Sequence, residues 1–568
     1  VLLLEPPRPP DPSRFQEVVN APLSACLFSP YLVSLLRSKG IGVELLDANL
    51  LGLSMEETLK ELTSRLTGVA PMGRHTRTMW SSECGVRNLI PHSTIPTPHS
   101  ELGLPLLGVH LVYLWEKTEE VFGPLSKIKS HNPRIHVNLY GYYPTFNYRE
   151  ILQRFPFVDS VTLGEPEYPF LRLAQQVGAI HELPLQHIKG LAFRGGEEIV
   201  ANHRDADDEP DSLPFPDRSL LPLYQEKGLA TYILGSRGCY GRCTFCYVGP
   251  FYGKWRGRSP QNILEELKGL YEKGVSYFYF ADANFFGPGR AGRERASNLA
   301  EIILKEKLNI RFGMECRAND LEKDSLSRLV AAGLREVFLG VESACDHTLK
   351  RFRKDTSQEV NRRAIELLRR FGIEPNLGFI MFEPHTRLED IRTNFEFLKD
   401  TKLLRSPAIT AHLLSHKQTL LMGTADYGVH GVQRPHRKCG VQNFNSALRN
   451  PNSALEGTPH SQSMDSIKIG CSFAGYESHY DFEDPTVQSF YEAVSQLCHG
   501  VLSTLKPEEA QSCCDAQTEK EYLLNINKVL VDTYEKVLCI YENGDGYKKA
   551  SNLINEVVGA RCNMPLHH

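Results

Sequence analysis

The sequence has no apolar run long enough to cross a membrane and no excess of charge of one sign. Its longest apolar run, near Leu104–Trp115, is shorter than the roughly 20 residues that a spanning helix needs, and it contains His110. The 64 basic and 68 acidic side chains leave a formal net charge of −4, which indicates no nucleic-acid-binding surface. We therefore expect neither a membrane span nor a nucleic-acid partner.

Signs of secretion are also missing. The chain opens VLLLEPPRPP, without the basic region or the cleavage site of a signal peptide. Its 14 cysteines are mostly scattered, which is typical of reduced thiols rather than of a disulfide framework. These absences favour a cytoplasmic protein, and a length of 568 residues predicts roughly two to four domains.

Three cysteines, however, lie close together in GSRGCYGRCTFCYVGPFYGKWRGRSP: Cys239, Cys243 and Cys246. Thiolates hold iron–sulfur clusters, and a four-iron cluster ordinarily takes four of them. Three thiolates on one loop would leave one iron open to an exogenous chelate. The alternative is structural zinc, which needs four tetrahedral ligands that usually come in two short pairs, and no second C-x2-C pair follows.

The C-x3-C-x2-C spacing resembles that of the radical S-adenosylmethionine (SAM) enzymes. In that family the amino and carboxylate groups of SAM occupy the open iron, so the resemblance implies a [4Fe–4S] cluster and SAM as cofactors. The resemblance covers roughly residues 1–400 and is most specific at 231–260. It also implies an electron donor, such as flavodoxin or ferredoxin, as a partner.

Residues 229–414 contain a series of alternating strand and helix patterns, the second such series in the chain after that of residues 1–182. By the same resemblance, this series predicts the partial (β/α)6 barrel of the family. The cysteine loop follows the first strand, so active groups are expected at the carboxyl ends of the strands. The six strands are predicted at Thr231–Gly235, Ser276–Ala281, Asn309–Glu315, Glu336–Glu342, Pro375–Phe382 and Ala408–Leu413.

Several segments of this series resemble the SAM-binding segments of the family. By that resemblance Phe245 contacts the adenine, Asp282 and Asn284 in YFYFADANFF contact the methionyl amine, and Glu342 and Ser343 in LGVESACDHTLKRFRK bind the ribose or methionyl group.

Arg317, in ECRAND, is placed to reach a carboxylate of SAM or substrate, and a structural salt bridge is an equal alternative. The fifth-strand segment departs from the family, because Phe382 and Glu383 replace its usual Gly-Pro pair.

The N-terminal part has its own architecture. Residues 1–182 alternate apolar strands with amphipathic helices, and five such units predict a doubly wound, Rossmann-like parallel sheet. Residues 68–104 lack periodicity and predict an irregular insertion. Residues 183–228 predict a hairpin with a Gly195-Gly196 turn and then an acidic, proline-rich linker. Residues 415–568 are expected to be irregular at first and then helical.

A doubly wound domain before such a barrel resembles the cobalamin-binding class of radical SAM enzymes, through VELLDAN, YGYYPT and VDSVTLGEPEYPFLRLA. The resemblance implies cobalamin as a further cofactor. No histidine precedes His75, and Asn49 stands where the D-x-H-x-x-G loop of other cobalamin domains has its histidine. We therefore expect cobalamin to bind without a histidine ligand to its cobalt. The alternative is a vestigial domain that binds no cofactor. The implied binding residues are Asp47, Gly141, Thr145, Gly164, Glu165 and Glu167.

Three functions follow from these features. The first is methylation of an unactivated carbon, or of phosphorus, in an unknown small-molecule or peptide substrate, as the resemblance implies. The second keeps both cofactors but omits methyl transfer, as in an oxidative cyclase or a rearrangement enzyme. The third is a non-catalytic cobalamin- or redox-responsive binding protein, against which the intact cysteine triad argues.

Overall fold

The computed structural model describes residues 1–7, 27–67, 106–112, 118–177, 185–204, 209–430, 477–478, 480–503 and 516–562. The chain divides into two compact units. The first contains Val1–Arg237 and Arg256–Asp282, and the second contains Gly238–Trp255 and Ala283–His568. The insertion expected at 68–104 lies outside the described residues.

The strands alternate with helices along most of the described chain. They are β1 (Leu2–Glu5), β2 (Glu44–Asp47), β3 (Leu106–His110), β4 (His136–Tyr140), β5 (Ser160–Thr162), β6 (Leu191–Gly195), β7 (Glu198–Ala201), β8 (Thr231–Ile233), β9 (Ser236–Arg237), β10 (Arg256–Gly257), β11 (Tyr277–Phe280), β12 (Arg311–Arg317), β13 (Leu334–Glu342), β14 (Asn376–Phe379), β15 (Leu420–Leu421) and β16 (Glu477–Ser478).

The helices cover most of the remaining described residues. They are α1 (Phe28–Ser38), α2 (Ala48–Leu51), α3 (Met55–Thr67), α4 (Thr118–His131), α5 (Tyr142–Arg154), α6 (Glu167–Val177), α7 (Leu221–Glu226), α8 (Val248–Tyr252), α9 (Pro260–Tyr271), α10 (Gly289–Lys305), α11 (Lys323–Ala331), α12 (Asp346–Arg351), α13 (Gln358–Arg370), α14 (Leu388–Asp400), α15 (Pro407–Ser415), α16 (Ala425–His430), α17 (Pro485–Ser503), α18 (Ala516–Glu542) and α19 (Gly546–Cys562).

The first unit is built on a seven-stranded sheet in the order β2-β1-β3-β4-β5-β6-β7. Strands β1 to β5 pair in parallel, and β6 and β7 add the predicted antiparallel hairpin. Strands β3 and β4 are buried along their whole length, as expected for parallel strands covered on both faces. The predicted parallel sheet is confirmed, and its doubly wound arrangement stays a prediction.

The order of this sheet reverses beside β1, because β2 lies on one side of it and β3 on the other. In doubly wound folds the carboxyl ends of the two strands at such a reversal form the ligand-binding crevice. The chain therefore places the ends of β1 and β3 where a cofactor would bind. The same unit also holds the parallel pair β8–β11 and the short antiparallel pair β9–β10.

The second unit contains β12, β13 and β14, which pair in parallel in that order. Together with the two strands of the first unit, these are the first five predicted strands of the second series, all of which are found. Helices α10 and α11 pack against each other beside β12 and β13. The fold is thus mixed α/β with parallel sheets, as the sequence predicts.

The sixth predicted strand, Ala408–Leu413, is wrong, because these residues lie in helix α15. Pro407 occupies the first turn of that helix, where its fixed φ and missing N–H favour a helix start. A single parallel bridge between Phe382 and Lys417 follows the helix. The extended segment therefore comes after the apolar run and is much shorter than expected.

Residues 485–503 and 516–562 are helical, as expected, whereas most of the stretch expected to be irregular, 431–476, lies outside the described residues. Helices α17, α18 and α19 pack on one another, and α15 packs on both α17 and α18. Buried aromatic rings pack between these helices and α14. The ring centre of Tyr534 lies 5.6 Å from that of Phe490 and 5.0 Å from that of Phe395, on α14. No helix among the described residues is long and apolar enough to cross a membrane.

Two buried histidines, one within α15 and one directly after it, predict that the stability of the fold depends on pH. Burial lowers the pKa of His412 to about 4 and that of His416 to about 3. Between these values and the ordinary pKa, the unfolded chain binds more protons than the native one, so stability rises with pH. We expect the free energy of unfolding to rise from pH 4 to 6.5, by up to about 1.4 kcal/mol per pH unit for each histidine.

Urea unfolding across this pH range measures the effect, and the double variant His412→Gln/His416→Gln should show a flatter pH dependence. An unchanged slope in that variant would contradict the assignment to these two side chains.

Candidate functional site

The three cysteines line one cavity in the second unit. Cys239, Cys243 and Cys246 are free, half-buried thiols on the walls of a cavity of about 650 Å³. A turn brings the last two together, because the Cys246 amide donates to the Cys243 carbonyl at 3.2 Å. The loop begins at Gly238, whose φ is +76° and where a Cβ would lie 2.7 Å from the Lys254 carbonyl oxygen. Glycine is therefore required at the point where the loop closes on itself.

Two thiols of this cavity, those of Cys239 and Cys246, lie where burial disfavours the thiolate. Burial raises the pKa of Cys239, and it raises the pKa of Cys246 to about 12. Metal ligation requires the deprotonated sulfur, so binding of iron and loss of the thiol proton are coupled at these positions.

A guanidinium contacts one of the sulfurs. Arg317, the last residue of β12, donates to Sγ of Cys243 at 3.3 Å and lies 5.4 Å from the centre of the Tyr240 ring. A Cβ at Gly241 would fall 2.3 Å from this guanidinium, so the approach depends on that glycine. Burial disfavours the charge on Arg317, but the Cys243 sulfur outweighs it and the pKa is raised. A hydrogen bond from Arg317 to a cysteine sulfur was not among the predicted roles.

A second cation, Lys354, was missed by the sequence reasoning. Its side chain is buried and donates to Oε1 of Glu342 at 2.8 Å, and its carbonyl accepts a hydrogen bond from Arg317. Burial disfavours the charge, but Glu342 and then Cys243 raise the pKa of Lys354. In the sequence it stands in the basic run LKRFRK, which reads as a solvated surface.

Glu342, the predicted SAM contact at the end of β13, has an unusual backbone. Its φ is +65°, which is rare for a residue other than glycine, and the pairing of β13 with β14 is irregular between Gly340 and Glu342. Such a conformation costs on the order of 1–3 kcal/mol and persists where the surroundings impose it, often at functional sites. The predicted contact of Glu342 with SAM stays a prediction.

Asn284 belongs to a buried polar network. Its Nδ2 donates to Asp320 at 2.8 Å, its Oδ1 accepts from the Gly287 amide at 2.9 Å, and the Tyr240 hydroxyl also donates to Asp320. Burial raises the pKa of Asp320. Asp320 and Tyr240 were not predicted, although Tyr240 directly follows Cys239 in the sequence and Asp320 bonds Asn284.

Two further candidates of the second unit are held by packing and hydrogen bonds. Ser343 is fully buried, and its hydroxyl donates to Asn394 at 3.1 Å and accepts from the Cys345 amide at 3.1 Å. Phe245 meets Phe352 edge-on, with ring centres 5.1 Å apart. The SAM-binding roles of both residues stay predictions.

Asp282, in the first unit, is fully buried after β11. One carboxylate oxygen accepts from the Gly235 amide and the other from the Ser236 hydroxyl, each at 2.7 Å. This carboxylate thus fixes the residues that precede the cysteine loop. Its predicted contact with the methionyl amine is untested.

The candidate cobalamin loops lie at the carboxyl ends of the strands of the first unit. Thr145, in the first turn of α5, donates to the Gly141 carbonyl at 2.7 Å and accepts from the Gly164 amide at 3.0 Å. Gly141 has φ +111°, and a Cβ there would lie 2.4 Å from a backbone oxygen. Asp47 caps α2 by accepting from the Leu50 amide at 2.8 Å.

Glu165 and Glu167 are ion-paired in the structure. Arg237 bridges both carboxylates, at 2.7 Å and 2.6 Å, and Arg256 also binds Glu165. The sequence reasoning considered the two glutamates only as cofactor contacts, and the arginine partners lie far away along the chain.

A buried polar cluster at the sheet reversal was also missed. Both carboxylate oxygens of Glu5 lie 2.8 Å from Nδ1 of His110, and the Ser29 hydroxyl bonds Glu5 and lies 2.7 Å from the Tyr140 hydroxyl. The His110 ring stacks on Tyr140 at 5.2 Å. The sequence reasoning saw His110 only as an interruption of an apolar run.

His412 and His416 have an H-x3-H spacing that the sequence reasoning overlooked, and their rings lie 4.9 Å apart. No three or more His, Cys, Asp or Glu side chains among the described residues are arranged to hold a single metal ion. A four-iron cluster has a different requirement, because each thiolate binds a separate iron.

Comparison with known proteins defines the class. Residues 233–398 match the radical SAM superfamily, so this part of the chain is a radical SAM domain, which uses a [4Fe–4S] cluster and SAM. The three cysteines, and the guanidinium on one of them, fit such a cluster. The predicted membership is confirmed.

A comparison with solved structures identifies the fold. The chain is similar to a structure of the cobalamin-dependent S-adenosylmethionine radical enzyme OxsB with aqua-cobalamin bound. The match has a TM-score of 0.70 and 18% sequence identity, and it covers 99% of this chain and 79% of the other. The chain therefore contains a radical SAM domain at residues 233–398 and shares the overall fold of that structure.

Curated relatives match only part of this chain and only part of their own length. The chain is 28% identical to a 4′-phospho-dehydrooxetanocin synthase of Priestia megaterium, over 46% of this chain and 38% of that protein. It is also 28% identical to an uncharacterized methyltransferase of Pyrococcus horikoshii, over 48% of this chain and 59% of that protein. The matches thus span only about half of the relatives' lengths.

Proposed function

We propose that this protein is a cobalamin-dependent radical SAM enzyme that methylates an unactivated carbon, or phosphorus, of a small-molecule or peptide substrate. The observation that carries the proposal is the cavity of about 650 Å³, on which Cys239, Cys243 and Cys246 converge. These three would hold the cluster and leave one iron for SAM. When bound, the cluster and SAM supply a one-electron cleavage that yields methionine and a 5′-deoxyadenosyl radical, and cobalamin supplies a methyl carrier.

The role of the chain is to position and to compensate charge. Arg317 places a cation on the Cys243 sulfur, and Lys354 is near enough for Cys243 to raise its pKa, so both cations would offset the negative charge of a thiolate-ligated cluster. Glu342 and Ser343, at the end of β13, are the proposed contacts of the ribose or methionyl group. Phe245, Asp282 and Asn284 are the other proposed SAM contacts, by resemblance.

Cobalamin is proposed for residues 1–182. The polar loops at the carboxyl ends of the first-unit strands support it, because ligands of doubly wound sheets bind there. Thr145 ties the Gly141 and Gly164 loops together, which gives this edge a fixed shape. The relative of shared fold is named as cobalamin-bound, which supports the same cofactor here. The barrel is proposed for residues 229–414.

A second candidate is a cobalamin-dependent radical reaction without methyl transfer. It is favoured by the name of the Priestia relative, a synthase, whereas the Pyrococcus relative is named a methyltransferase. Both candidates share the initial radical, and they differ in whether SAM also loses its methyl group.

Two products of SAM separate the candidates without knowledge of the substrate. The full chain is purified anaerobically, reconstituted with iron, sulfide and cobalamin, and incubated with SAM and dithionite. Methylation predicts both 5′-deoxyadenosine and S-adenosylhomocysteine, with the labelled methyl group of SAM retained in the cobalamin fraction. The second candidate predicts 5′-deoxyadenosine alone, and absence of both products would favour a non-catalytic binding protein.

A further inference from the structure

The two ends of the cysteine loop are held in one short strand pair of the first unit. Arg237, in β9, immediately precedes the loop, and Arg256, in β10, immediately follows it. The two residues lie directly opposite each other in the antiparallel pair. Like charges directly opposite are unfavourable in such a pair, so these two arginines require a counter-ion.

Glu165 supplies that counter-ion to both arginines. Its Oε1 lies 2.7 Å from Nη1 of Arg237, and its Oε2 bonds Nη2 of Arg256. Glu167 adds a second bond to Arg237, from Oε1 to Nη2 at 2.6 Å. One carboxylate therefore joins the residue before the loop to the residue after it.

The network is buried, which makes each of its charges depend on the others. The Arg237 side chain is 5% exposed, Glu167 is 2% exposed, and the Tyr31 ring lies 5.1 Å below the Arg237 guanidinium. Burial disfavours the charge on Arg237, but Glu167 and Glu165 raise its pKa. Arg204 also lies beside this network, and its pKa is lowered by burial and raised in part by Glu165.

We propose that Glu165 is a positioning residue for the cluster. Because its carboxylate holds Arg237 and Arg256 together, it sets the position of Gly238 and Cys239, which follow Arg237 directly in the chain. This role rests on the proposed function of the cysteine loop. It differs from the contact with cobalamin that family resemblance implies for the same residue.

The chain offers a matched control for this role. Glu266, on α9, is also a buried carboxylate shared by two arginines, with Arg218 at 2.7 Å and Arg258 at 2.6 Å. It lies in the same unit but bridges no residue of the β9–β10 pair. Replacing it by glutamine removes the same kind of interaction and leaves the ends of the cysteine loop paired.

The test measures the anaerobic release of iron from the reconstituted full chain to a ferrous chelator. For Glu165→Gln, we expect release to be about tenfold faster or more, because charge-assisted hydrogen bonds to both arginines are lost. Glu266→Gln should release iron at the wild-type rate, even where its melting temperature falls. Glu165→Asp, which keeps the charge, should restore part of the retention, and the electron paramagnetic resonance change on adding SAM should follow the same order.

Wild-type iron retention in Glu165→Gln, or equal acceleration in Glu266→Gln, would overturn the proposal. If Glu165→Gln does not fold, Arg256→Gln tests the same link from its less buried side and should also release iron faster. A wild-type chain that binds no cluster would instead refute the proposed function, so the two failures are distinguishable.

Discussion

Replacing Cys246 by alanine is expected to abolish the formation of 5′-deoxyadenosine, to the level seen without enzyme. Only two of the three proposed thiolate ligands remain in this variant. The cluster is then no longer held by three cysteines with its fourth iron open to SAM. The reconstituted wild type should contain about four iron atoms per chain, and the variant should contain far fewer. Both quantities are measured on anaerobically reconstituted protein with dithionite as the reductant.

Cys498→Ala is the matched control, because Cys498 is another free thiol of the second unit but lies on α17, away from the cavity. It should keep its iron and its SAM cleavage. Unchanged SAM cleavage in Cys246→Ala, and likewise in the triple variant at positions 239, 243 and 246, would refute the assignment of the cluster site.

The second large effect is expected at the buried ion pair of Lys354 and Glu342. Replacing Lys354 by methionine leaves the Glu342 carboxylate buried without its lysine, at a position whose backbone is already strained. Removing one partner of a buried pair costs about 3–5 kcal/mol of unfolding free energy. Denaturant unfolding of the anaerobic protein measures the loss.

The double variant Lys354→Met/Glu342→Gln separates charge from packing. Without a buried carboxylate to leave unpaired, it should recover a large part of the stability lost in Lys354→Met. Equal stability of the single and double variants would show that the ion pair is not the cause. The double variant should still cleave SAM poorly, because Glu342 is a proposed SAM contact.

Local patterns explain which parts of the fold could be predicted. The strands of residues 1–182 are short apolar runs between helical patterns, so the five predicted strand–helix units are found. The cysteine spacing is itself a local motif, which the sequence shows directly. Ala408–Leu413 is also a short apolar run, and such runs do not distinguish a buried strand from a buried helix. Ser406-Pro407 before it was a helix-start signal, and it decides in favour of α15.

The site was harder to predict, because its contacts join distant parts of the chain. Glu165 meets Arg237 and Arg256 only after the sheet has formed, and no spacing in the sequence marks that pairing. Lys354 was hidden in a basic run, since a sequence does not show which of several adjacent cations turns inward.

The chain leaves the first unit at Gly238, returns to it at Arg256 and leaves it again at Ala283. The three cysteines proposed as cluster ligands therefore interrupt the first unit along the sequence and belong to the second. A gene fragment that starts at Ala283 would encode most of the second unit without Cys239, Cys243 or Cys246. We therefore expect such a fragment, expressed alone, to bind no four-iron cluster at this site.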